Sequence, residues 1–340
     1  MNSKVAVVIL NWNGRQKGLI EKYLPSVVKY SKEAEVFVAD NGSEDDSVEY
    51  LKQMFPEVSL IELDKNYGFT GGYNRALNQI EADYFILLND DVEVTPNWIS
   101  PVIDKMEKDE SIAVCQPKLL SYKDKDCFEY AGAAGGYIDY LGYPFCAGRI
   151  FQSLEKDKGQ YDKEREIFWA TGAAMFVRSK VFKELGGLDE DFFAHMEEID
   201  FCWRAKNAGY KVMYYPQSKV YHFGAATLQT NNPRKTFLNF RNNLLLLYKN
   251  LPEQKMTSVF LKRRFLDYLA AFVFLLQGNK EDAKAVFNAR KDFKKIKKHF
   301  YSKRQNNIPS YPSQTLSKSL IIQSKLFHRN VFTQLEDYLF

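Results

Sequence analysis

The first ninety residues alternate short apolar runs with stretches of helical pattern, and each apolar run ends in a polar cluster. The runs cover residues 5–10, 36–39, 58–61 and 84–88. A continuous β-branched run is typical of a strand that is covered on both faces. Strands and helices that alternate at this spacing require right-handed crossovers and form a mainly parallel sheet. We therefore predict an α/β fold in which all four polar clusters emerge along one edge of the sheet.

The polar clusters combine amides, carboxylates and glycines, which together suit a nucleotide. They read N-W-N-G from Asn11, D-N-G-S from Asp40, N-Y-G-F-T-G-G from Asn66 and N-D-D from Asn89. Open α/β sheets bind ligands outside the carboxyl ends of their strands. Amide and carboxylate groups there can bind a base and a ribose, while glycines let the backbone approach a diphosphate. Between the second and third strands we predict a helix over residues 44–54 with Ser43 as its N-cap.

Asp90 and Asp91 place two carboxylates at the mouth of a buried strand. Mg²⁺ and Mn²⁺ prefer oxygen ligands and commonly bridge one or two protein carboxylates to nucleotide phosphates. Asp and Asn also form ordinary turns at strand ends, so the pair alone leaves both interpretations open.

Five motifs in this order resemble the family 2 glycosyltransferases with the GT-A fold, which is Rossmann-like. Residues 168–178 are similar to the family's acceptor-side strand, and residues 185–193 and 197–204 resemble the segment that holds its catalytic acidic pair. The resemblance spans about two thirds of the chain and favours the rhamnosyltransferase-like branch.

The resemblance implies roles for individual residues. Asp40 matches the residue that binds the pyrimidine base, and Asp91 matches the metal ligand of the D-x-D motif, whose first position here is Asn89. His222 matches a histidine that completes the metal site, although a lone histidine among apolar neighbours is often a core residue. As a ligand it would be neutral, so metal binding should weaken as the pH falls through roughly 6 to 7. The expected nucleotide-sugar contacts are Asn11, Asn13, Asp40, Asn66, Gly71, Asn74, Asn89 and Asp90.

On the acceptor side, Glu198 stands where the family has its general base, which is most often Asp. Glu197 is expected to contact the acceptor, and Trp169 to form an aromatic floor under the acceptor sugar unless it is a plain core residue. The competing interpretation makes Glu197, Glu198 and Asp200 an acidic first turn before a helix over 201–208. Asp200 is assigned mainly to that capping role.

These assignments predict an inverting, metal-dependent glycosyltransferase. The donor would be dTDP-rhamnose or a UDP-sugar, the cofactor Mg²⁺ or Mn²⁺, and the acceptor a glycan or lipid-linked hydroxyl in cell-surface polysaccharide synthesis. Two alternatives stay open. One is a non-catalytic glycan- or nucleotide-binding scaffold, and the other is a sugar nucleotidyltransferase, which would be expected to carry a Gly-rich loop with Arg and Lys after its first strand.

Composition predicts the cellular compartment of the protein and a boundary between two regions of the chain. The start of the chain lacks a signal-peptide layout and its four cysteines show no secreted framework, which favours the cytoplasm. Residues 1–234 carry 27 Lys and Arg against 36 Asp and Glu, whereas residues 235–340 carry 20 against 7. We therefore predict a GT-A catalytic domain over 1–234 and a basic helical region over 235–340.

The basic region has three interpretations. It could lie peripherally on the anionic inner leaflet, form a homo-oligomer surface, or buttress the catalytic domain, and the membrane surface is slightly favoured. Nucleic acid is not expected as a partner, because no binding motif accompanies the charge. Residues 305–312 are predicted to be a linker, and the amphipathic segment 320–327 has no assigned role.

Overall fold

The computed structural model describes residues 3–129, 131–224, 232–304 and 311–340. Its centre is a large sheet with the strand order β3-β2-β1-β4-β12-β6-β13-β11, and β5 pairs with β13. These strands are β1 (Val5–Asn11), β2 (Glu35–Asp40), β3 (Ser59–Glu62), β4 (Tyr84–Asn89), β5 (Val92–Val94), β6 (Ile112–Ser121), β11 (Arg165–Glu166), β12 (Ala174–Arg178) and β13 (Lys211–His222).

The first four strands form the predicted parallel unit. β1 pairs in parallel with both β2 and β4, and β2 pairs in parallel with β3. β12 then runs antiparallel between β4 and β6, so the complete sheet is mixed. The predicted α/β class with a central sheet flanked by helices is confirmed.

Both faces of β1 are buried, which explains its continuous apolar run. Val5, Val7 and Ile9 pack into the core on one side of the sheet, whereas Ala6 and Val8 pack into the core on the other. The first helices of the chain cover these faces: α1 (Leu19–Tyr30), α2 (Ser47–Met54), α3 (Gly68–Leu77), α4 (Ser100–Lys108), α5 (Ser179–Glu184) and α6 (Glu197–Asn207).

The predicted start of α2 is wrong. The helix begins at Ser47 after Asp46, and the Ser43 side chain does not cap it. The Ser43 hydroxyl instead donates to Asp40 Oδ1 at 2.5 Å, and the Ser43 amide donates to Asp40 Oδ2 at 2.9 Å. An N-cap serine would accept a helix amide with its Oγ, but the Ser43 Oγ accepts the amide of Asn13 at 2.9 Å.

A second, smaller sheet has the order β10-β9-β8-β7-β14. Its strands are β7 (Gly136–Asp139), β8 (Pro144–Cys146), β9 (Arg149–Ile150), β10 (Ser153–Leu154) and β14 (Thr315–Leu316). β14 comes from the C-terminal segment and pairs in parallel with β7. Part of the predicted linker, residues 305–310, lies outside the described residues.

The basic region forms three long helices, α7 (Pro233–Asn250), α8 (Glu253–Leu276) and α9 (Lys280–Ile296), and the short α10 (Leu320–Lys325) follows β14. Side chains of α7 bind residues of the catalytic part. Lys249 Nζ lies 2.8 Å from both Asp189 and Asp200, and Asn250 donates to Asp200 at 2.8 Å. The division at residue 234 stays a prediction. No helix among the described residues is long and apolar enough to cross a membrane.

Candidate active site

The end of β4 and the end of β13 bring the predicted metal ligands together. β5 pairs antiparallel with β13 so that His222 lies opposite Val92, directly after Asp91. His222 Nε2 is 3.0 Å from Asp91 Oδ1 and 3.4 Å from Asn89 Nδ2. The amide of Gly224 donates to the other oxygen, Asp91 Oδ2, at 3.1 Å. Two residues that are 131 positions apart thus present a carboxylate oxygen and a ring nitrogen at one point.

Glu129 holds the other side of the His222 ring. His222 Nδ1 is 3.3 Å from Glu129 Oε1, and both side chains are buried. Metal-bound histidines usually direct their second ring nitrogen at a carboxylate, which fixes the tautomer that leaves Nε2 for the metal. Among the described residues no three His, Cys, Asp or Glu side chains converge on one point. Two protein ligands suit Mg²⁺ or Mn²⁺, because these ions usually keep waters and substrate phosphates as their other ligands.

The electrostatics of this group favour its ionised forms. Burial raises the pKa of Asp91 but His222 lowers it more, so the net pKa lies below the ordinary value. Burial lowers the pKa of His222, whereas Glu129 and Asp91 raise it well above the ordinary value. The weakening of metal binding as the pH falls through roughly 6 to 7, which the sequence predicts, stays a prediction.

Asp91 and His222 line a large cavity of about 780 Å³. Ligand pockets typically measure about 300–1,000 Å³, so this volume is sufficient for a sugar nucleotide. The predicted site residues that line it are Asn66, Asn89, Asp90, Asp91, Trp169, Glu197, Glu198 and His222. Burial, followed by the charge of Asp91, raises the pKa of Asp90 to about 7.

Glu197 and Glu198 form an acidic pair that lines the same cavity as Asp91 and His222. Glu197 is buried and Glu198 is partly exposed to the cavity. Each has one buried carboxylate oxygen, Oε2, without a hydrogen-bond partner among the described residues. Burial raises the pKa of Glu198 to about 7, and burial together with Glu198 raises the pKa of Glu197 well above its ordinary value. A carboxylate that titrates near neutral pH and lacks a partner can take a proton from a bound hydroxyl.

The loop that precedes this pair has an unusual backbone. Phe193, His195 and Met196 have φ values of 65°, 71° and 74°. Residues other than glycine rarely adopt positive φ values. Asn242 of α7 supports the loop, since its Nδ2 donates to the carbonyls of Phe192, Ala194 and His195 at 2.8–2.9 Å. The carbonyl of Phe193 in turn accepts the amides of Phe69 and Thr70 at the start of α3.

The first polar clusters bind one another. Asn11 Nδ2 donates to Asp40 Oδ1 at 2.8 Å, and both residues are buried. Asn13 has φ 52°, its amide donates to Ser43 Oγ, and its Oδ1 accepts the amide of Glu44. Asn11, Asn13 and Asp40 are therefore beside the cavity but not part of its lining, whereas their neighbours Trp12 and Asn41 line it. Their nucleotide contacts stay predictions.

The glycine-rich segment is helical, and its glycines allow close packing. A Cβ on Gly72 would lie 2.7 Å from a methyl carbon of Leu10, and one on Gly71 would lie 3.0 Å from Arg75 Nη1. Gly71 lies outside the cavity lining, as does Asn74, whose amide group donates to and accepts from the backbone of Leu188. Their roles toward the diphosphate and ribose also stay predictions. Asn66 lines the cavity, and its Oδ1 accepts the amide of Gly68 at 2.8 Å.

Trp169 contributes one edge of its ring to the cavity. Its Nε1 donates to the carbonyl of Tyr137 at 2.8 Å, and its ring packs on Gly136, where a Cβ would lie 2.2 Å from ring carbons. Trp169 is thus both a core residue and a lining residue, and its contact with an acceptor sugar stays a prediction.

Asp200 lies in the first turn of α6, as its predicted capping role requires, but its side chain also has specific partners. Its side chain is fully buried and accepts hydrogen bonds from Arg204, Lys249 and Asn250 at 2.8 Å. Burial raises its pKa, but the charges of Lys249 and Arg204 and the hydrogen bonds outweigh burial, and the net pKa is about 2. Asp200 is an anchor between α6 and α7, and the partners on α7 were not visible from the local acidic pattern.

Several lining residues were not predicted. They are Trp12, Lys17, Asn41, Glu129, Arg149, His195, Arg234, Lys235 and Asn239. A lone acid between Phe128 and Tyr130 was the available signal for Glu129. For the residues of α7 the signal was the polar series around Arg241, Asn242 and Asn243 in an otherwise apolar helix.

Comparisons with known proteins agree with this geometry. Residues 6–186 match the profile described as Glycosyl transferase family 2. The chain is 27% identical over 225 residues to the N-acetylglucosaminyl-diphospho-decaprenol L-rhamnosyltransferase of Mycobacterium tuberculosis (strain CDC 1551 / Oshkosh), covering 61% of this chain and 72% of the relative. It is 22% identical over 250 residues to the rhamnosyltransferase WbbL of Escherichia coli (strain K12), covering 70% and 90% of the two chains.

Among solved structures, GalNAc-T7 with UDP, GalNAc and Mn²⁺ superposes with a TM-score of 0.55 at 18% identity, over 72% of this chain and 48% of that chain. This likeness concerns the fold. The family profile covers more than half of the 340 residues and includes the end of β4 with Asn89, Asp90 and Asp91. The chain therefore belongs to glycosyl transferase family 2, and it is a glycosyltransferase of the GT-A fold that resembles the rhamnosyltransferase-like branch.

Proposed function

We propose that the protein is an inverting, metal-dependent glycosyltransferase that transfers a sugar from a nucleoside diphosphate to a hydroxyl of a glycan or lipid-linked acceptor. The observation that carries the proposal is the arrangement of one cavity. The same cavity is lined by the Asp91–His222 pair, which Glu129 flanks, and by Glu198, which has an unpartnered carboxylate oxygen.

In the proposed reaction the acceptor hydroxyl attacks the anomeric carbon from the face opposite the nucleotide. Glu198 takes the hydroxyl proton as the new C–O bond forms. The bond between the anomeric carbon and the diphosphate oxygen breaks, and its electron pair leaves with the nucleoside diphosphate. One displacement of this kind inverts the anomeric configuration and needs no covalent sugar–enzyme intermediate.

Asp91 and His222 would hold the divalent ion, and the donor set of one carboxylate oxygen and one ring nitrogen fits Mn²⁺ or Mg²⁺. When bound, the ion would neutralise the negative charge of the departing diphosphate. Glu129 orients the His222 ring, and the amide of Gly224 orients the Asp91 carboxylate. Asn66 and Asn89 offer amide groups to the nucleotide side of the cavity.

The names of the relatives support a deoxyhexose donor and a lipid-linked acceptor. Two relatives are named as rhamnosyltransferases, and one name specifies a glycosyl-diphospho-decaprenol acceptor. We therefore place dTDP-rhamnose first among the donors, with UDP-sugars as the alternative. Cell-surface polysaccharide synthesis is the corresponding process.

A thermal-shift screen tests the proposal. The purified protein is heated with dTDP, UDP, GDP or CDP, each with Mn²⁺, Mg²⁺ or EDTA. A ligand at 100 times its Kd adds about 2.7 kcal/mol to the free energy of unfolding, which is readily measured. We expect stabilisation by one pyrimidine diphosphate only when metal is present. Asp91→Ala should abolish the effect, and Asp104→Ala, which removes an exposed carboxylate, should keep it.

Turnover is then measured with the matching sugar nucleotide as release of the nucleoside diphosphate in the presence of an acceptor, and the product's anomeric configuration is determined. Stabilisation by a nucleotide without turnover for any acceptor would favour the scaffold interpretation. A retained anomeric configuration would contradict the single displacement.

A further inference from the structure

Helix α8 exposes an apolar stripe on the side that faces away from the rest of the protein. Its buried positions Val259, Arg263, Asp267 and Ala271 repeat every four residues and face inward. On the opposite side Phe265 is 69% exposed, Phe272 is 56% exposed and Leu276 is 72% exposed. The stripe consists of Leu261, Phe265, Tyr268, Leu269, Phe272, Val273, Leu275 and Leu276.

Helix α9 extends this surface with an aromatic side chain and a row of lysines. The rings of Phe287 and Tyr268 lie 5.7 Å apart, so Phe287, which is 48% exposed, borders the stripe. Positions three and four apart share one face of a helix. The exposed lysines that share the Phe287 face by this spacing are Lys284, Lys291, Lys294, Lys295 and Lys298.

The exposed charge of the two helices is strongly one-sided. Over residues 253–298 ten Lys and Arg side chains are exposed, against only Glu253 and Glu281 among the acids. Lys262 and Arg264 lie beside the stripe on α8 itself. An apolar stripe bordered by cations matches the chemistry of a membrane surface that carries anionic headgroups.

The same end of the helical layer borders the cavity. Thr236 of α7 donates to Asp282 of α9 at 2.6 Å, and Phe240 packs against the cluster of Ala271, Ala283 and Val286. The C-terminal half of α8 is therefore close to the first turns of α7. Those turns contribute Arg234, Lys235, Leu238 and Asn239 to the cavity lining.

We propose that α8 and α9 form a docking surface for an anionic membrane, with the stripe inserted at the headgroup level and the cavity held close to the lipid surface. A second copy of the chain fits this surface less well. A two-fold interface would bring the lysine rows of two copies together, and lysine is depleted at protein–protein interfaces.

Vesicle flotation with the full chain tests the proposal. One set of vesicles contains phosphatidylcholine alone, and the other contains phosphatidylcholine and phosphatidylglycerol at about 7:3. We expect binding to the anionic vesicles that weakens at least tenfold in high salt. F265E/F272E should reduce the partition coefficient at least tenfold, and K284E/K291E should reduce it about tenfold or more. Met54→Glu, at an exposed apolar residue of α2, should leave it unchanged.

Nucleotide-dependent thermal stabilisation serves as the folding control, because the substituted residues lie outside the cavity lining. Analytical ultracentrifugation is run on the same samples. Absence of binding to anionic vesicles would overturn the proposal. If F265E/F272E also dissociated an oligomer in that case, the stripe would be a subunit interface instead. These results do not depend on turnover, so failure of membrane binding is distinguishable from failure of the proposed reaction.

Discussion

At the scale of single residues, the acidic pair is the most direct test of the mechanism. Glu198→Gln keeps the shape of the side chain but removes the base, so we expect kcat to fall about 10²- to 10⁴-fold while the thermal shift with nucleotide is retained. Glu197→Gln should have a smaller effect on kcat, because Glu197 is buried whereas Glu198 is partly exposed to the cavity. Glu57→Gln, at an exposed loop position, is the matched control. If kcat fell further in Glu197→Gln than in Glu198→Gln, Glu197 would be the base and Glu198 the acceptor contact.

The pH dependence follows from the raised pKa of Glu198. The base must be ionised, so we expect kcat to rise with pH and level off above about 7. The residual kcat of Glu198→Gln should not show this rise with pH. If the rise persists in that variant, it belongs to Asp90, whose pKa burial and Asp91 raise to about 7.

The raised pKa of Glu198 makes the free energy of unfolding fall as the pH rises, which is opposite to its effect on kcat. Because burial favours the protonated carboxyl, the folded protein binds a proton more tightly than the unfolded chain, and stability is lost as the pH rises from about 4.5 toward about 7. Glu198→Gln has no charge to bury, so at pH 8 it should be more stable than the natural protein by about 3 kcal/mol. Urea unfolding at pH 5 and pH 8 measures this, and an equal difference at both pH values would contradict it.

At the scale of elements, α7 acts on the catalytic pair through the loop before α6. Asn242 supplies the hydrogen-bond donor for three carbonyls of a loop whose backbone is strained. Asn242→Ala leaves these carbonyls without that donor, which should cost about 1–3 kcal/mol of stability. Glu198 follows this loop in the first turn of α6, so kcat should also fall about tenfold to a hundredfold.

The KM for the donor separates positioning from general damage. It should stay near its natural value in Asn242→Ala, because the nucleotide side of the cavity is formed by other elements. Asn288→Ala, at an exposed position of α9, is the control and should change neither quantity. A parallel loss of donor affinity and kcat would show that Asn242 supports the whole domain rather than the loop.

At the scale of the whole molecule, the C-terminal segment is part of the core of the small sheet. Phe332 is fully buried, and its ring centre lies 4.6 Å from Tyr137, 5.8 Å from Tyr161 and 6.3 Å from Phe145. Phe332→Ala should reduce the free energy of unfolding by about 3–5 kcal/mol, because it leaves a cavity in this cluster. Phe327→Ala, at a side chain that is 57% exposed, should change it by less than about 0.5 kcal/mol. Similar values for both variants would place the C-terminal segment outside the core.

The sequence by itself determined the parallel unit and the family. Continuous apolar runs require strands that are buried on both faces, and the motif at each strand end is a local pattern that survives without knowledge of distant contacts. The α/β class, the four strand ends and the resemblance to family 2 were therefore predictable from residues 5–91 and from the downstream motifs.

Tertiary structure decided which side chains share the cavity. Glu129 lies beside His222 across 93 positions of the sequence and Asn242 binds His195 across 47, and no local period encodes such pairs. Asp200 shows the same limit, because its acidic neighbours indicated a helix cap, whereas two of its partners, Lys249 and Asn250, come from α7. Periodicity and capping are set by neighbours along the chain, whereas the partners of a buried charge are set by how helices and strands pack in space.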